Sequence, residues 1–221
     1  MVERPTGFPA LRDVTDDIIS ADLRLPEHVT ILAPGPKGKG NYHKINPDSY
    51  VLAVNYGVTI PVHIDGWLVG DWWGVQKEWW PRADQGFHGR RFFSVGLAER
   101  CAVWNEHDLA FQLTKEREIV KKYKRRLRTM AHDQFSPCET SVGIAIDLCG
   151  RTGVKRVDLI GVDMVGTAYY DGTESTCESC DRADGVWLFK DLIMEVIGYQ
   201  VEKYGVEFRT LSETALEIKL G

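Results

Sequence analysis

His28-Val-Thr-Ile-Leu-Ala33 runs directly into Pro34-Gly-Pro-Lys-Gly-Lys-Gly40. A short β-branched apolar run that stops at clustered Gly and Pro reads as a buried strand feeding a loop. The same form recurs in Tyr50-Val-Leu-Ala-Val-Asn55, Asp65-Gly-Trp-Leu-Val-Gly-Asp71, Arg91-Phe-Phe-Ser-Val95, Val157-Asp-Leu-Ile-Gly-Val-Asp163 and Val206-Glu-Phe-Arg-Thr-Leu211. Nearly continuous apolar strands are what a parallel sheet covered on both faces requires. Thr140-Ser141 caps a helix over Val142 to Thr152 that stops at Gly153. Trp187 to Lys203 is amphipathic, ends at Gly205 and leads straight into the sixth strand. Such strand–helix–strand units imply right-handed parallel crossovers. The fold class expected is α/β: a Rossmann-like, open, mostly parallel sheet with helices on both faces.

The 221 residues suit one α/β domain of nucleotide-binding type over 1–221. Asp13 to Leu23 reads as a short helix. Leu109, Leu113, Val120, Tyr123, Leu127 and Met130 fall at three- and four-residue steps in a series interrupted at Glu116, so a helical insertion is expected around 107–131. Its other face carries Lys115, Arg117, Lys121, Lys122, Lys124, Arg125, Arg126 and Arg128. That face is either a surface for phosphate, nucleic acid or anionic lipid, or a solvated covering that packs on the domain or another subunit. A net charge of −5 gives no global attraction to nucleic acid. No apolar run reaches the ~18 residues of a membrane span, and Met1-Val-Glu-Arg-Pro5 lacks a signal-peptide pattern, so a cytoplasmic protein is expected. Five cysteines do not make a disulfide framework. Cys101, Cys138 and Cys149 read as buried thiols. Cys177 and Cys180 form a C-x-x-C without a second ligand pair, in a loop around 171–185 that could serve as a lid.

In an open α/β sheet, ligands bind beyond the carboxyl ends of the strands. The candidates there are the Pro34–Gly40 loop, Asn55-Tyr-Gly57, Asp71-Trp-Trp73, Asp163 through Tyr170, and the Thr140-Ser141 helix start. The first loop reads either as a phosphate cradle, with Lys37 and Lys39 adding charge, or as a plain turn. It matches neither G-x-G-x-x-G nor the P-loop pattern. Thr140 and Ser141 offer hydroxyls at a helix start, for an anion or for capping alone. Asp71 and Asp163 each follow a Gly by at most two residues. A carboxylate so placed can hold a ribose hydroxyl or a metal ion, activate an attacking hydroxyl, or cap a loop. Tyr169 and Tyr170 are close enough in sequence to reach the same cleft, and a phenol can donate to a departing phosphate. Trp67, Trp72, Trp73, Trp79 and Trp80 are dense, and packing is expected of most of them.

With these motifs in order, the chain resembles bacterial sialyltransferases of the monofunctional α-2,3/2,8 type and related Rossmann-like proteins. Thr140 to Tyr170 carries most of the resemblance, with "APGPKG" and "VLAVNYG" in support. The resemblance implies metal-independent transfer of sialic acid from CMP-sialic acid to a sugar hydroxyl. It puts Gly35 and Pro36 under the nucleotide phosphate and Asn55 and Asp71 on the donor. Thr140 and Ser141 would hold the donor, and Tyr169 or Tyr170 would stabilise the leaving phosphate. The family's Gly-Asn-Gly-Pro-Ser turn is here Pro34-Gly35-Pro36-Lys37, and its second tyrosine is Val165. Where the family has a histidine base, this chain has Asp181 to Asp184, leaving Asp184 or His132 as a stand-in.

Three readings follow. The first is a glycosyltransferase using a nucleotide-sugar donor and a hydroxyl acceptor without a required cofactor, with Asp163 or Asp184 as base. The second is phosphoryl or pyrophosphoryl transfer, with Asp71 and Asp163 holding Mg²⁺. The third is a nucleotide- or nucleic-acid-binding protein without catalysis, contacting its partner through residues 115–128. Association into a homo-oligomer is compatible with all three.

Overall fold

The computed structural model describes residues 22–70, 77–98, 101, 105–111, 140–166, 168–173 and 190–218. Within them the strands are β1 (His28–Leu32), β2 (Tyr50–Val54), β3 (Gly66–Val69), β4 (Arg90–Ser94), β5 (Leu109–Phe111), β6 (Arg156–Ile160) and β7 (Glu207–Thr210). The helices are α1 (Trp80–Gly86), α2 (Val95–Ala98), α3 (Ser141–Arg151) and α4 (Lys190–Tyr204). All strand pairs are parallel, in the order β5-β4-β3-β2-β1-β6-β7. The chain starts at β1, builds outward through β2 to β5, then returns to the other side of β1 for β6 and β7. The strand order therefore reverses between β1 and β6, the place where such sheets bind ligands.

Alternation along the strands divides the core between the two faces. Val29, Ile31, Leu52, Val54, Val157 and Leu159 pack beneath α3 and α4. Leu32, Val51 and Ile160 on the other face are covered by Tyr42, Ile45 and Ile60 from short 3₁₀ segments. Ala53, Trp67, Val69 and Phe93 on that face are covered by Trp80 and Ala83 of α1 and by Leu97 and Ala98 of α2. Every residue of α3 is buried because it lies between the sheet and α4. Asp147 of α3 accepts hydrogen bonds from Arg151 Nε at 3.0 Å and from Gln200 Nε2 of α4 at 2.8 Å.

The open parallel sheet and the six expected strands are present, most of them shifted or trimmed by a residue or two. Thr140 is the N-cap of α3, with Oγ1 accepting the Gly143 N–H at 3.0 Å, and Gly153 terminates the helix region at φ +85. Leu109–Phe111, expected to open a helical insertion, instead forms the edge strand β5. Three residues are too few to separate a strand from one helical turn by periodicity. Cys149 is buried as expected, whereas Cys101 is only half-buried. The remainder of the 107–131 insertion, with its basic face at 115–128, lies outside the described residues, as do residues 13–21 of the short helix expected over Asp13 to Leu23, and Cys138, Cys177 and Cys180. Among the described residues no helix is long and apolar enough to cross a membrane.

One buried ion cluster fastens α1 to the sheet. Arg91 of β4, 1% exposed, lies 3.2 Å from Asp84 of α1 and 3.7 Å from Asp108 before β5. It also donates to the Asp84 carbonyl at 2.6 Å, while its backbone N–H reaches Asp108 Oδ1 at 3.1 Å. Removing the guanidinium leaves two buried carboxylates without their counter-charge, a loss of about 3–5 kcal/mol. Arg91→Met is therefore expected to lower the urea unfolding free energy by that amount. A loss below about 1 kcal/mol, the value of an exposed pair, would contradict the role assigned to Arg91.

Candidate functional site

The site is built where β1 and β6 diverge. Parallel pairing continues past both strand ends, through Ala33 N–H to the Ile160 carbonyl and Gly35 N–H to the Gly161 carbonyl, each at 2.9 Å. That close approach requires glycine. A Cβ on Gly35 would overlap the Gly161 carbonyl and stand 2.6 Å from the Asp163 carboxyl, and one on Gly161 (φ +68) would overlap the Ala33 carbonyl. Gly57, beyond β2, abuts the Leu32 carbonyl in the same way. The backbones of three neighbouring strand ends thus meet without intervening side chains.

Asp163 is 3% exposed at this junction. Its Oδ2 accepts the Lys37 backbone N–H at 2.7 Å, and its buried Oδ1 has no hydrogen-bond partner in the protein. Burial pushes its pKa up to about 6, against the lowering influence of the Lys37 N–H and ammonium. At neutral pH the group is ionised, with one acceptor oxygen left over for a donor. Met164, the next residue, has φ +57 and is buried in the core, and Asn55 beyond β2 has φ +50. A left-handed conformation costs a methionine roughly 1–2 kcal/mol, and such strain concentrates at functional sites. The Asn55 carbonyl accepts Trp67 Nε1–H at 3.0 Å, and its buried side-chain oxygen has no partner.

The other candidates divide into those close to this junction and those engaged elsewhere. Pro36 opens a 3₁₀ turn, Pro36–Gly38, immediately beyond Gly35. The Lys37 ammonium is paired with Glu213 at 2.8 Å. Each partner stabilises the other's charge, holding the lysine above and the glutamate below its ordinary range. Thr140 Oγ1 caps α3, and Ser141 Oγ accepts the Gly70 N–H at 3.3 Å. The α3 N-terminus therefore stands at the carboxyl end of β3, on the ligand edge of the sheet. Tyr170 is joined to the β1 loop through its N–H and the Pro34 carbonyl at 2.7 Å, while its phenol donates to the Thr59 carbonyl at 2.9 Å. Asp71 and Asp184 lie outside the described residues. Among the described residues no group of three His, Cys, Asp or Glu could hold a metal ion.

Two further tyrosines complete the site: Tyr56, within the candidate stretch Asn55-Tyr-Gly57, and Tyr42, which sequence reasoning did not single out. The Tyr56 ring lies 4.8 Å from that of Tyr169 and 5.9 Å from that of Tyr170. Its phenol donates to Asp171 Oδ2 at 2.6 Å. Burial raises the Asp171 pKa, but hydrogen bonds from Tyr56 and Thr173 together outweigh it and hold the group below the ordinary carboxylate range. Tyr42 packs beside Gly38 with its buried hydroxyl unpartnered, and burial pushes its pKa up to about 12. Tyr56 had a sequence signal, since it follows Asn55 at a strand end. Tyr42 had none.

No protein-family model matches the chain, and no curated protein matches it. Solved structures do. The monofunctional α-2,3-sialyltransferase Cst-I from Campylobacter jejuni superposes with a TM-score of 0.54 at 15% identity, over 89% of this chain and 83% of that one. CstII from the same organism, solved with CMP-3FNeuAc, gives 0.51 at 13% identity, over 88% and 86%. The MAf glycosyltransferase from Magnetospirillum magneticum AMB-1 gives 0.59 at 10% identity, over 89% of this chain and 33% of that longer protein. The chain thus has a sialyltransferase-like α/β fold, shared with glycosyltransferases.

Proposed function

We propose that the protein is a glycosyltransferase-like enzyme that moves a sugar from a nucleotide-activated donor, CMP-linked in the first instance, to a hydroxyl acceptor. The observation that carries this reading is the buried Asp163 with an unpartnered Oδ1 at the strand-order reversal, beside the close backbone approach that Gly35 and Gly161 allow. The shared fold supports it.

In this reading the donor phosphate lies over Gly35 and Pro36, where no side chain intervenes. Asn55 meets the donor with its unpartnered amide oxygen. Asp163 Oδ1 accepts a hydroxyl proton, either holding a donor hydroxyl or, as base, raising the nucleophilicity of the acceptor. Thr140 and Ser141 place the positive end of α3 toward the leaving phosphate, and Tyr169 supplies a phenol beside it, the Tyr170 phenol being bonded to the Thr59 carbonyl. Asp71 and Asp184 complete the proposed donor and acceptor contacts. No metal is required in this scheme.

Thermal-shift titration with CMP, UDP, GDP and ADP, each with Mg²⁺ or with a chelator, tests the reading. Saturation at ~100 times Kd adds about 2.7 kcal/mol, which raises Tm by roughly 5–10 °C for a domain of this size. A shift with CMP that survives the chelator is the expected result. A shift confined to a nucleoside triphosphate with Mg²⁺ would replace this reading with phosphoryl transfer, and no shift with any nucleotide would end it.

The raised Asp163 pKa gives a second test. The folded state retains this proton up to about pH 6, whereas the unfolded chain releases it near 3.8. Folding stability therefore falls as pH rises from about 4 to 6 and levels off above, by roughly 3 kcal/mol for a shift of about two units. Asp163→Asn is expected to remove this slope, to be more stable than wild type at pH 7.5, and to bind CMP at least tenfold more weakly. A variant that keeps the slope and the affinity would exclude Asp163 from the site.

A further inference from the structure

The segment that follows β7 is laced to the junction. Leu211 N–H bonds the Leu159 carbonyl at 2.7 Å, and Ala215 N–H bonds the Asp163 carbonyl at 2.9 Å. Between them, the buried Ser212 accepts the Gly161 N–H on its Oγ at 3.0 Å, and Thr214 Oγ1 donates to the Val162 carbonyl. Four of these five residues are thus tied to β6 or to the turn just beyond it. The fifth is Glu213, whose side chain is 78% exposed and whose carboxylate meets the Lys37 ammonium at 2.8 Å. A rigid segment from the end of β7 therefore carries one carboxylate to the loop that follows β1.

An ion pair this exposed contributes little to stability, so its effect is to be sought at the junction. Burial does most to raise the Asp163 pKa; the Lys37 N–H and ammonium oppose it, and the Glu213 carboxylate adds to it. Both charges of the pair are felt at the buried carboxylate. Lys37 is itself anchored there, its N–H on Asp163 Oδ2 at 2.7 Å, while its half-exposed side chain carries the ammonium on a rotatable four-carbon stem.

We propose that Glu213 is a positioning residue that sets charge specificity: it holds the Lys37 ammonium as an internal stand-in for a ligand phosphate, and a ligand is retained according to the negative charge with which it displaces the carboxylate. That the ligand is a nucleotide rests on the transferase reading above. A terminal phosphate carries close to two negative charges at neutral pH and offers three strong acceptor oxygens, against the single charge of Glu213, so the exchange favours it. A phosphate esterified on both sides carries one charge and gains little. A nucleoside carries none and leaves the pair intact. The loop therefore retains a free nucleoside monophosphate more tightly than the same nucleotide with its phosphate esterified.

The test is calorimetric binding of cytidine, the methyl ester of CMP, CMP and inorganic pyrophosphate at low ionic strength and about pH 7.5. Wild type is compared with Lys37→Gln, Glu213→Gln and the double variant, exposed positions whose ligand-free Tm is expected to match wild type. The CMP-to-cytidine affinity ratio should fall about fivefold or more in Lys37→Gln and rise about two- to fivefold in Glu213→Gln. The methyl ester should respond less than CMP to both. In the Lys37→Gln background, Glu213→Gln should change nothing, because the glutamate acts through the lysine. Wild-type ratios in the single variants would overturn the proposal. So would a gain from Glu213→Gln that survives loss of Lys37, since that is direct repulsion of the ligand. Pyrophosphate, which has neither base nor sugar, separates this inference from the transferase reading. If it follows the same pattern while no nucleotide binds, the transferase reading falls and the role of Glu213 stands. CMP binding that neither variant alters does the reverse, and binding of neither probe rejects both.

Discussion

The hydrogen bond from Gly35 N–H to the Gly161 carbonyl is the constraint on which the site depends. It extends β1–β6 pairing beyond both strands and draws the two following loops together before they separate. With the loops so joined, the Lys37 N–H falls on the Asp163 carboxylate at 2.7 Å. The carboxylate is then positioned by backbone alone, and no flexible side chain has to be ordered when a ligand arrives. That is preorganisation in the sense that matters for charge stabilisation, since the entropic cost is met during folding. The left-handed Met164 belongs to the same arrangement. Its strained backbone turns the chain away from Asp163 while its side chain is buried beneath the sheet.

Each face of the sheet carries one buried ionic network that holds a helix relevant to the ligand edge. On one side, Asp147, Arg151 and Gln200 lock α3 to α4, and Gly150 lacks a Cβ because the Gln200 amide occupies that space. This holds the α3 N-terminus against Gly70. On the other side, Arg91 locks α1 through Asp84, and α1 lines a cleft with Tyr56 and Tyr170. Apolar packing alone would hold either helix at comparable stability while tolerating sliding along the sheet. Directional hydrogen bonds and ion pairs such as these favour one register. Both helices therefore present their ends at defined positions.

The fold was legible because each buried parallel strand leaves a continuous apolar run closed by Gly or a polar residue, and the Thr140 cap and Gly153 stop bracket α3 without ambiguity. What escaped is equally specific. α1 is seven residues long, starts Trp-Pro, and has no side-chain cap, so neither length nor capping announces it. β5 has three residues. Asp163 could be picked out because Gly161 precedes it by two positions, the spacing that the close approach of β1 and β6 requires. Tyr56 could not be assigned a role, because its partner Asp171 lies 115 positions away. The pairing of Lys37 with Glu213, 176 positions apart, was invisible for the same reason. Local pattern reports burial and backbone conformation; it does not report which polar groups the topology brings together.

The Lys37–Glu213 pair bears on how the junction handles charge. A phosphate there would meet Asp163 as a neighbouring anion, which is unfavourable unless positive charge is added nearby. Glycine backbones and the α3 terminus contribute only partial charges. Lys37 and Lys39 are the cations of the junction loop, and Lys37 is committed to an exposed carboxylate. Exposed pairs of this kind contribute little, so in the proposed reading exchanging Glu213 for a phosphate costs little and gains a bond to a more highly charged partner. The backbone N–H of Lys37 stays on Asp163 throughout. In the proposed reading one residue fixes the carboxylate with its main chain and offers its ammonium to the anion.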